Sequence, residues 1–257
     1  MIKEAVKAAS PEEAAELKKK GMVYMAGGTY LNWAESDVDA ERVVLLEGAL
    51  SSGISEDAGG VKIGALCTLT DIIDSSLVPE ALRTAAGFIP SRNIRNAATI
   101  GGNIAANRTD SYVIPALLAL NAEVQTLEEG KMSVYEYIKG GKSSLIMNVV
   151  IPSFEGKIAV DRSVRSSAAY PTVITAVSVS SGEWIVALGC IGDHVIRLEE
   201  FEREIASGKY KTEEELFKGV YDSIDPSGSI KESGTYRRYI ASTLIARSVS
   251  MCMGEGN

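Results

Sequence analysis

Two paired glycines set the strongest constraint on how this chain can fold. One lies in "YMAGGTYLN" (Tyr24–Asn32) and the other in "ATIGGNIAAN" (Ala98–Asn107). Each pair leaves a short apolar run and precedes a polar side chain, Thr29 or Asn103. Glycine accepts φ > 0 and lets another backbone, or a ligand oxygen, come close to the main chain. Consecutive N–H groups at such a bend can form a concave donor cluster. A helix starting just beyond adds its free N–H groups and the positive end of its dipole. One bend of this kind can hold a phosphate; two from opposite sides can clamp a diphosphate. Either bend alone reads first as a tight turn, since the chain carries 24 glycines. The pair leaves both readings open.

The runs around these bends alternate between strand and helix signals. "SPEEAAELKKKG" has a capping serine (Ser10), a proline at the first helical position and Glu13 to close a capping box, with Gly21 as the stop. "MVYMA", "ERVVLLE" and "GGVKIGA" read as strands, and Thr29 as the cap of a short helix through "YLNWAES". "TLTDIIDSS", "PEALRTAAGFI", "SYVIPALLALN" and "SVYEYI" read as helices, and "AEVQTLE" and "SSLIMNVVIP" as strands. After Pro152 the pattern changes. "KIAVDRSV", "TVITAVSVS", "EWIVALGCI" and "HVIRL" follow one another as strands, and three helical stretches close the chain. The expectation is an α+β chain with a mixed first domain, residues 1–154, and an α+β second domain, residues 155–257.

Composition removes several functions. With 26 basic against 34 acidic side chains the net charge is -8, and no basic run exceeds Lys18–Lys20, so nucleic acid and anionic membranes are not expected partners. Cys67, Cys190 and Cys252 are far apart, which leaves no zinc or iron–sulfur signature. His194 is the only histidine, so neither a histidine metal site nor a hydrolase triad is expected, and no catalytic or metal-ligating residue is assigned. "GGKSS" (Gly140–Ser144) lacks the earlier glycine of a P-loop, and no G-x-G-x-x-G occurs. The N-terminus has no apolar h-region and no apolar run approaches a membrane span, so a cytoplasmic protein is expected.

"YMAGGTYLN", "RNAATIGGNIAAN" and "SYVIPALLALNAEV", together with "RSVRSSAAYPTVITAVSV" and "SGTYRRYIASTLIA" near the end, resemble the flavin-binding medium subunit of molybdenum hydroxylases of the xanthine and carbon monoxide dehydrogenase type. The resemblance implies a vanillyl-alcohol-oxidase (PCMH)-type FAD-binding domain of two small α/β subdomains, about 1–52 and 53–154, with FAD between them. A C-terminal domain like that of the carbon monoxide dehydrogenase flavoprotein would follow. It further implies a molybdenum-cofactor large subunit and a [2Fe–2S] small subunit as partners, and NAD or another molecule as electron acceptor.

By motif position, Tyr24, Met25, Ala26, Gly27, Gly28, Thr29, Tyr30 and Leu31 would wrap the diphosphate. Thr99, Gly101, Gly102 and Asn103 would form the facing loop, and Ala105 would pack beside the ribityl or adenine part. Ile146 and Met147 would supply a wall, and Arg162 a cation near the flavin ring. Two positions depart from the family. Ile89 stands where an aromatic contacts the ring, and Tyr112 where an acidic residue binds a ribose hydroxyl, with Asp110 two residues away as its substitute. These departures motivate a second reading, an assembly subunit of the same fold with weakened or lost FAD binding.

Overall fold

Residues 2–141, 143–166, 169–224 and 234–254 are described by the computed structural model. In chain order the elements are β1 (Glu4–Lys7), α1 (Pro11–Lys19), β2 (Val23–Met25), β3 (Arg42–Leu45), β4 (Ile54–Asp57), β5 (Gly60–Gly64), α2 (Leu69–Asp74), α3 (Glu80–Gly87), α4 (Arg92–Ala97), α5 (Ile100–Ala106) and α6 (Val113–Ala119). They continue with β6 (Glu123–Thr126), β7 (Gly130–Ser133), α7 (Val134–Lys139), β8 (Ile146–Ile151), β9 (Lys157–Val164), β10 (Pro171–Ser180), β11 (Glu183–Gly189), β12 (Ile196–Arg197), α8 (Glu199–Ala206), α9 (Glu213–Ser223) and α10 (Gly234–Met253). The mixed α and β character read from the sequence is what the chain adopts.

These elements form two compact units. The first takes the described parts of 1–79, 91–106 and 122–152; the second takes 80–90, 107–121 and the described parts of 153–257. The chain thus gives α3 and α6 to the second unit although both precede Pro152. Every residue from Ser111 to Leu120 is buried, so α6 needs cover on all sides, and β10 and β11 of the second unit supply it.

The first unit holds two sheets. A three-stranded parallel sheet has the order β1-β3-β2, with α1 as the crossover between β1 and β2. Ser10 accepts from the Glu13 N–H and Pro11 opens α1, as the capping residues require; Gly21 ends the turn at φ +84°. A five-stranded antiparallel sheet follows, in the order β4-β5-β8-β6-β7. Met22, Val44, Leu46 and Leu145 share one buried cluster, which joins the β2–β3 region to the strand leading into β8.

The second unit is a four-stranded antiparallel sheet, β12-β11-β10-β9, against α8, α9 and α10. Val173, Val177, Val186 and Leu188 share a core with Phe201, Val220, Ala241, Ile245 and Val249. The alternate residue Ser178 points the other way and donates to the Ala119 carbonyl at the end of α6 (2.7 Å). Burial on both faces explains why "TVITAVSV" reads as an unbroken apolar run rather than an alternating one.

Three local expectations give way. The segment 30–36 is a series of tight turns instead of a helix. The Gly28 carbonyl accepts from both the N–H and the side-chain Nδ2 of Asn32, at 3.0 and 2.9 Å, and the bonds that follow, Trp33 to Tyr30 and Ser36 to Trp33, span only three residues. The second glycine pair is no open bend, since Gly101 and Gly102 lie in the first turn of α5. Strands β1, β4 and β7 and helix α4 also form, where the apolar signal is weak.

One buried charge pair ties the second unit together. The Glu202 carboxylate on α8 accepts from the Val186 N–H (2.8 Å) and from two nitrogens of Arg197 (3.1 and 2.6 Å). Removing the carboxylate leaves the buried Val186 N–H without its acceptor and takes one carboxylate from Arg197. Glu202→Ala is expected to destabilise this unit by about 1–3 kcal/mol, whereas exposed Glu183→Ala is near neutral; denaturant unfolding followed by circular dichroism measures both.

Candidate functional site

In the first unit the two glycine motifs meet through their main chains. A Cβ on Gly27 would lie 1.5 Å from the carbonyl oxygen of Ala97, the last residue of α4. A Cβ on Gly102 would stand 4.0 Å from that of Ala26. Tyr24 and Met25 end β2, and Ala26 to Leu31 continue as the turn. Gly28 has φ +69°, and the Met25 side chain covers the space a Cβ would take there. Among the described residues, the N–H groups of Gly27, Gly28 and Thr29 donate to no acceptor. No carboxylate occurs from Tyr24 to Leu31. This turn therefore holds main-chain donors that the described residues leave unused and carries no carboxylate of its own, an arrangement that can receive a phosphate.

The facing segment works differently from the expectation. Its N–H groups are already spent: Ile100 donates to Cys67 (2.9 Å), Gly101 to Ala65 (3.0 Å), Gly102 to the Thr99 hydroxyl (3.1 Å) and Asn103 to the Thr99 carbonyl (2.9 Å). Thr99 acts as the cap of α5, and the segment Ala65–Cys67 is a strap beneath it. What the segment offers outward is the exposed surface at Gly102 and Ala105 and the half-buried Asn103. Ile146 is buried and Met147 half-buried on β8. The Met147 carbonyl accepts from Ala65 (3.0 Å), so β8 joins α5 through the same strap.

Tyr24 and Tyr30 are partly committed elsewhere. Tyr24 packs into the apolar cluster of Met22 and Leu145, Lys18 stands 5.3 Å from its ring centre, and burial pushes its phenol up to about 12. The Tyr30 hydroxyl donates to Asp37 (2.5 Å), with its ring 6.2 Å from that of Trp33.

Four expected site residues, Ile89, Asp110, Tyr112 and Arg162, belong to the second unit. Asp110 is held by Arg108 through two bonds of 2.8 and 2.6 Å, so its carboxylate is neutralised where it stands. Tyr112 is 7% exposed, and its hydroxyl has no hydrogen-bond partner among the described residues. Burial raises the phenol; the Arg162 guanidinium, outside hydrogen-bonding geometry, partly opposes that rise. Arg162 lies with its guanidinium carbon 4.6 Å from the Phe88 ring centre and 5.6 Å from that of Tyr112, and donates to the Phe88 carbonyl. Ile89 packs with Tyr112, Ile174 and Cys190.

Phe88 was missed by sequence reasoning, although an aromatic directly before Ile89 is a visible signal. The strap at Ala65–Cys67 carries no such signal, because main-chain bonds do not depend on side-chain identity. His194 lies in the turn before β12, half-buried. No group of three or more His, Cys, Asp or Glu is gathered for a metal among the described residues, and no helix there is long and apolar enough to cross a membrane.

Comparison with known proteins follows the same lines. Residues 2–154 match the family model described as the FAD binding domain in molybdopterin dehydrogenase. An uncharacterised protein of Escherichia coli (strain K12), YgfM, is 30% identical over the whole of this chain and 98% of its own length. Abscisic-aldehyde oxidase of Arabidopsis thaliana is 28% identical over 74% of this chain, which matches only 17% of that protein. Among solved structures, a chain of carbon monoxide dehydrogenase from Hydrogenophaga pseudoflava superposes with a TM-score of 0.84 at 21% identity, covering 100% of this chain and 99% of that one. A chain of quinoline 2-oxidoreductase from Pseudomonas putida 86 gives 0.83 at 19% identity, covering 99% and 98%. At these identities the structural likeness establishes the fold, a PCMH-type FAD-binding domain followed by a C-terminal α+β domain.

The residues present fit a dinucleotide. Unspent amides at 27–29, a glycine pressed against Ala97 and the lack of carboxylates in the turn all suit a bridging phosphate. Gly27→Ala is expected to force the turn off Ala97 and to abolish flavin retention. Gly21→Ala has open space around it, keeps the flavin, and costs about 1 kcal/mol from its left-handed backbone. Flavin released per mole of purified protein distinguishes the two variants.

Proposed function

Because the chain belongs to the family of FAD-binding domains in molybdopterin dehydrogenases, with FAD as its cofactor, we propose that it is the electron-transfer subunit of a xanthine dehydrogenase-like molybdenum hydroxylase. Its partners in this reading are a molybdenum-cofactor large subunit and a [2Fe–2S] small subunit, and its acceptor is NAD or another oxidant. When bound, FAD supplies the exchange of electrons between iron–sulfur clusters and that acceptor. Substrate oxidation belongs to the large subunit, which suits a chain with a single histidine and no gathered metal ligands among the described residues. A cytoplasmic location belongs to the same reading.

The observation that carries it is the turn at 26–29, whose amides are unspent while every N–H from Ile100 to Asn103 is used internally. In this reading Gly27, Gly28 and Thr29 hold the bridging phosphates, and Tyr24 to Ala26, Tyr30 and Leu31 shape the turn. Thr99, Gly101 and Gly102 hold α5 against it; Asn103 and Ala105 are the exposed part of that helix. Ile146 and Met147 form the wall that the strap joins to α5. From the resemblance, Arg162 is assigned a positive charge for the flavin and Ile89 an apolar contact. Tyr112, rather than the neutralised Asp110, offers the hydrogen-bond donor. The domain organisation in this reading is 1–154, with subdomains near 1–52 and 53–154, and 155–257.

An assembly subunit that has lost the cofactor is the weaker reading. A chain that kept only the fold would have no use for main-chain amides left unspent at 27–29 among the described residues. Two measurements separate the readings. The purified full chain is expected to carry a visible flavin band, or to take up added FAD; a colourless chain that takes up none supports the assembly role. Anaerobic mixing of the FAD-loaded chain with NADH is expected to bleach that band. Persistence of colour with NADH, together with bleaching by a reduced [2Fe–2S] partner, removes NAD as the acceptor and keeps the electron-transfer role.

A further inference from the structure

Within the second unit, Arg162 has an unusual environment for a charged side chain. It is half-buried on β9, and no carboxylate pairs with its guanidinium among the described residues. The one nearby acid that sequence reasoning favoured, Asp110, is tied to Arg108. What holds Arg162 instead is aromatic and main-chain. Its guanidinium carbon stands 4.6 Å from the Phe88 ring centre and 5.6 Å from that of Tyr112, and it donates to the Phe88 carbonyl. Phe88 and Tyr112 meet edge to face, with ring centres 6.0 Å apart and planes at 67°. Tyr112 is in turn fixed by Ile174, Cys190 and Ile89.

We propose that Phe88 is a positioning residue for Arg162: its ring and its carbonyl, together with the face of Tyr112, fix a cation that has no counter-ion of its own. An aromatic face attracts a guanidinium without neutralising it, whereas a carboxylate would cancel its field. Arg162 is therefore held in place by groups that do not cancel its field. The chain departs from the family at Ile89, yet an aromatic one residue earlier does different work, holding the cation instead of touching the ring. The inference rests on the reading that Arg162 serves the bound flavin.

The test uses the full chain loaded with FAD, in the variants Arg162→Gln, Phe88→Leu and Phe88→Tyr and the double variant Phe88→Leu/Arg162→Gln. The readouts are the flavin midpoint potential by dye equilibration, the FAD dissociation constant, and the unfolding temperature. A positive charge near the ring favours added electrons, so Arg162→Gln is expected to shift the potential to more negative values. Phe88→Leu keeps an apolar side chain but frees the guanidinium to move and hydrate. It is expected to give part of the same shift and to weaken FAD binding about three- to tenfold, the scale of one cation–π contact. Phe88→Tyr keeps the ring and is expected to behave as the parent. The double variant should match Arg162→Gln alone, since Phe88 acts through the arginine.

If Arg162→Gln shifts the potential and Phe88→Leu lowers only the unfolding temperature, Phe88 is core filling and the inference fails while the flavin reading survives. If Arg162→Gln itself moves neither potential nor affinity, the assignment of Arg162 to the flavin fails and the inference with it. Should Phe88→Leu not fold, Phe88→Met, with its flexible side chain of similar size, takes its place with the same expected results.

Discussion

The contact of Gly27 with the Ala97 carbonyl is the point on which the first unit's site depends. It is a main chain lying on a main chain, closer than any side chain allows. Two further glycines repeat the device beneath it. A Cβ on Gly64 would lie 2.3 Å from the Ser51 oxygen, and one on Gly101 would lie 2.9 Å from that of Ala65. Backbones packed this tightly leave little room to relax, and the described residues supply no acceptor for the amides of Gly27, Gly28 and Thr29. A donor cluster kept free at no cost in reorganisation is what anion binding requires.

The two glycine motifs thus divide the work in a way their similar sequences conceal. The first gives amides, and Gly28 takes the left-handed conformation that makes this possible. The second spends its amides on Thr99, Ala65 and Cys67 and takes an ordinary helical conformation. Its glycines serve closeness, not φ. Thr99 accordingly acts first as a helix cap, since its hydroxyl accepts from Gly102. That oxygen still has a proton to donate.

The second unit shows the same economy with charge. Where a charge is structural it is neutralised, as with Glu202 and Arg197 inside the fold or Arg108 and Asp110 near its surface. Arg162 is held without neutralisation, by rings and a carbonyl. The difference follows from what each charge does. A half-buried cation held by two rings and one carbonyl, beside a phenol with no hydrogen-bond partner among the described residues, keeps its field uncancelled.

Much was legible in the sequence, because local rules govern it. Capping residues gave α1, helical stretches gave α2, α7 and α9, whose caps the fold then shows, and alternation and apolar runs gave β2, β3, β5, β6 and β8 to β11. The resemblance carried by the two glycine motifs gave the family and the cofactor. The fold alone decided the rest. That the second glycine pair belongs to a helix depends on acceptors at Ala65 and Cys67, more than thirty residues away in the chain. The segment 30–36 runs instead through three-residue bonds, Trp33 to Tyr30 and Ser36 to Trp33, which close tight turns rather than a helix. Assignment of α3 and α6 to the second unit was set by which sheet could bury a helix that is apolar all round. Sequence fixes what each residue prefers and which groups must be satisfied. Which distant group satisfies them is decided only when the chain closes on itself, because main-chain donors and acceptors look alike at every position.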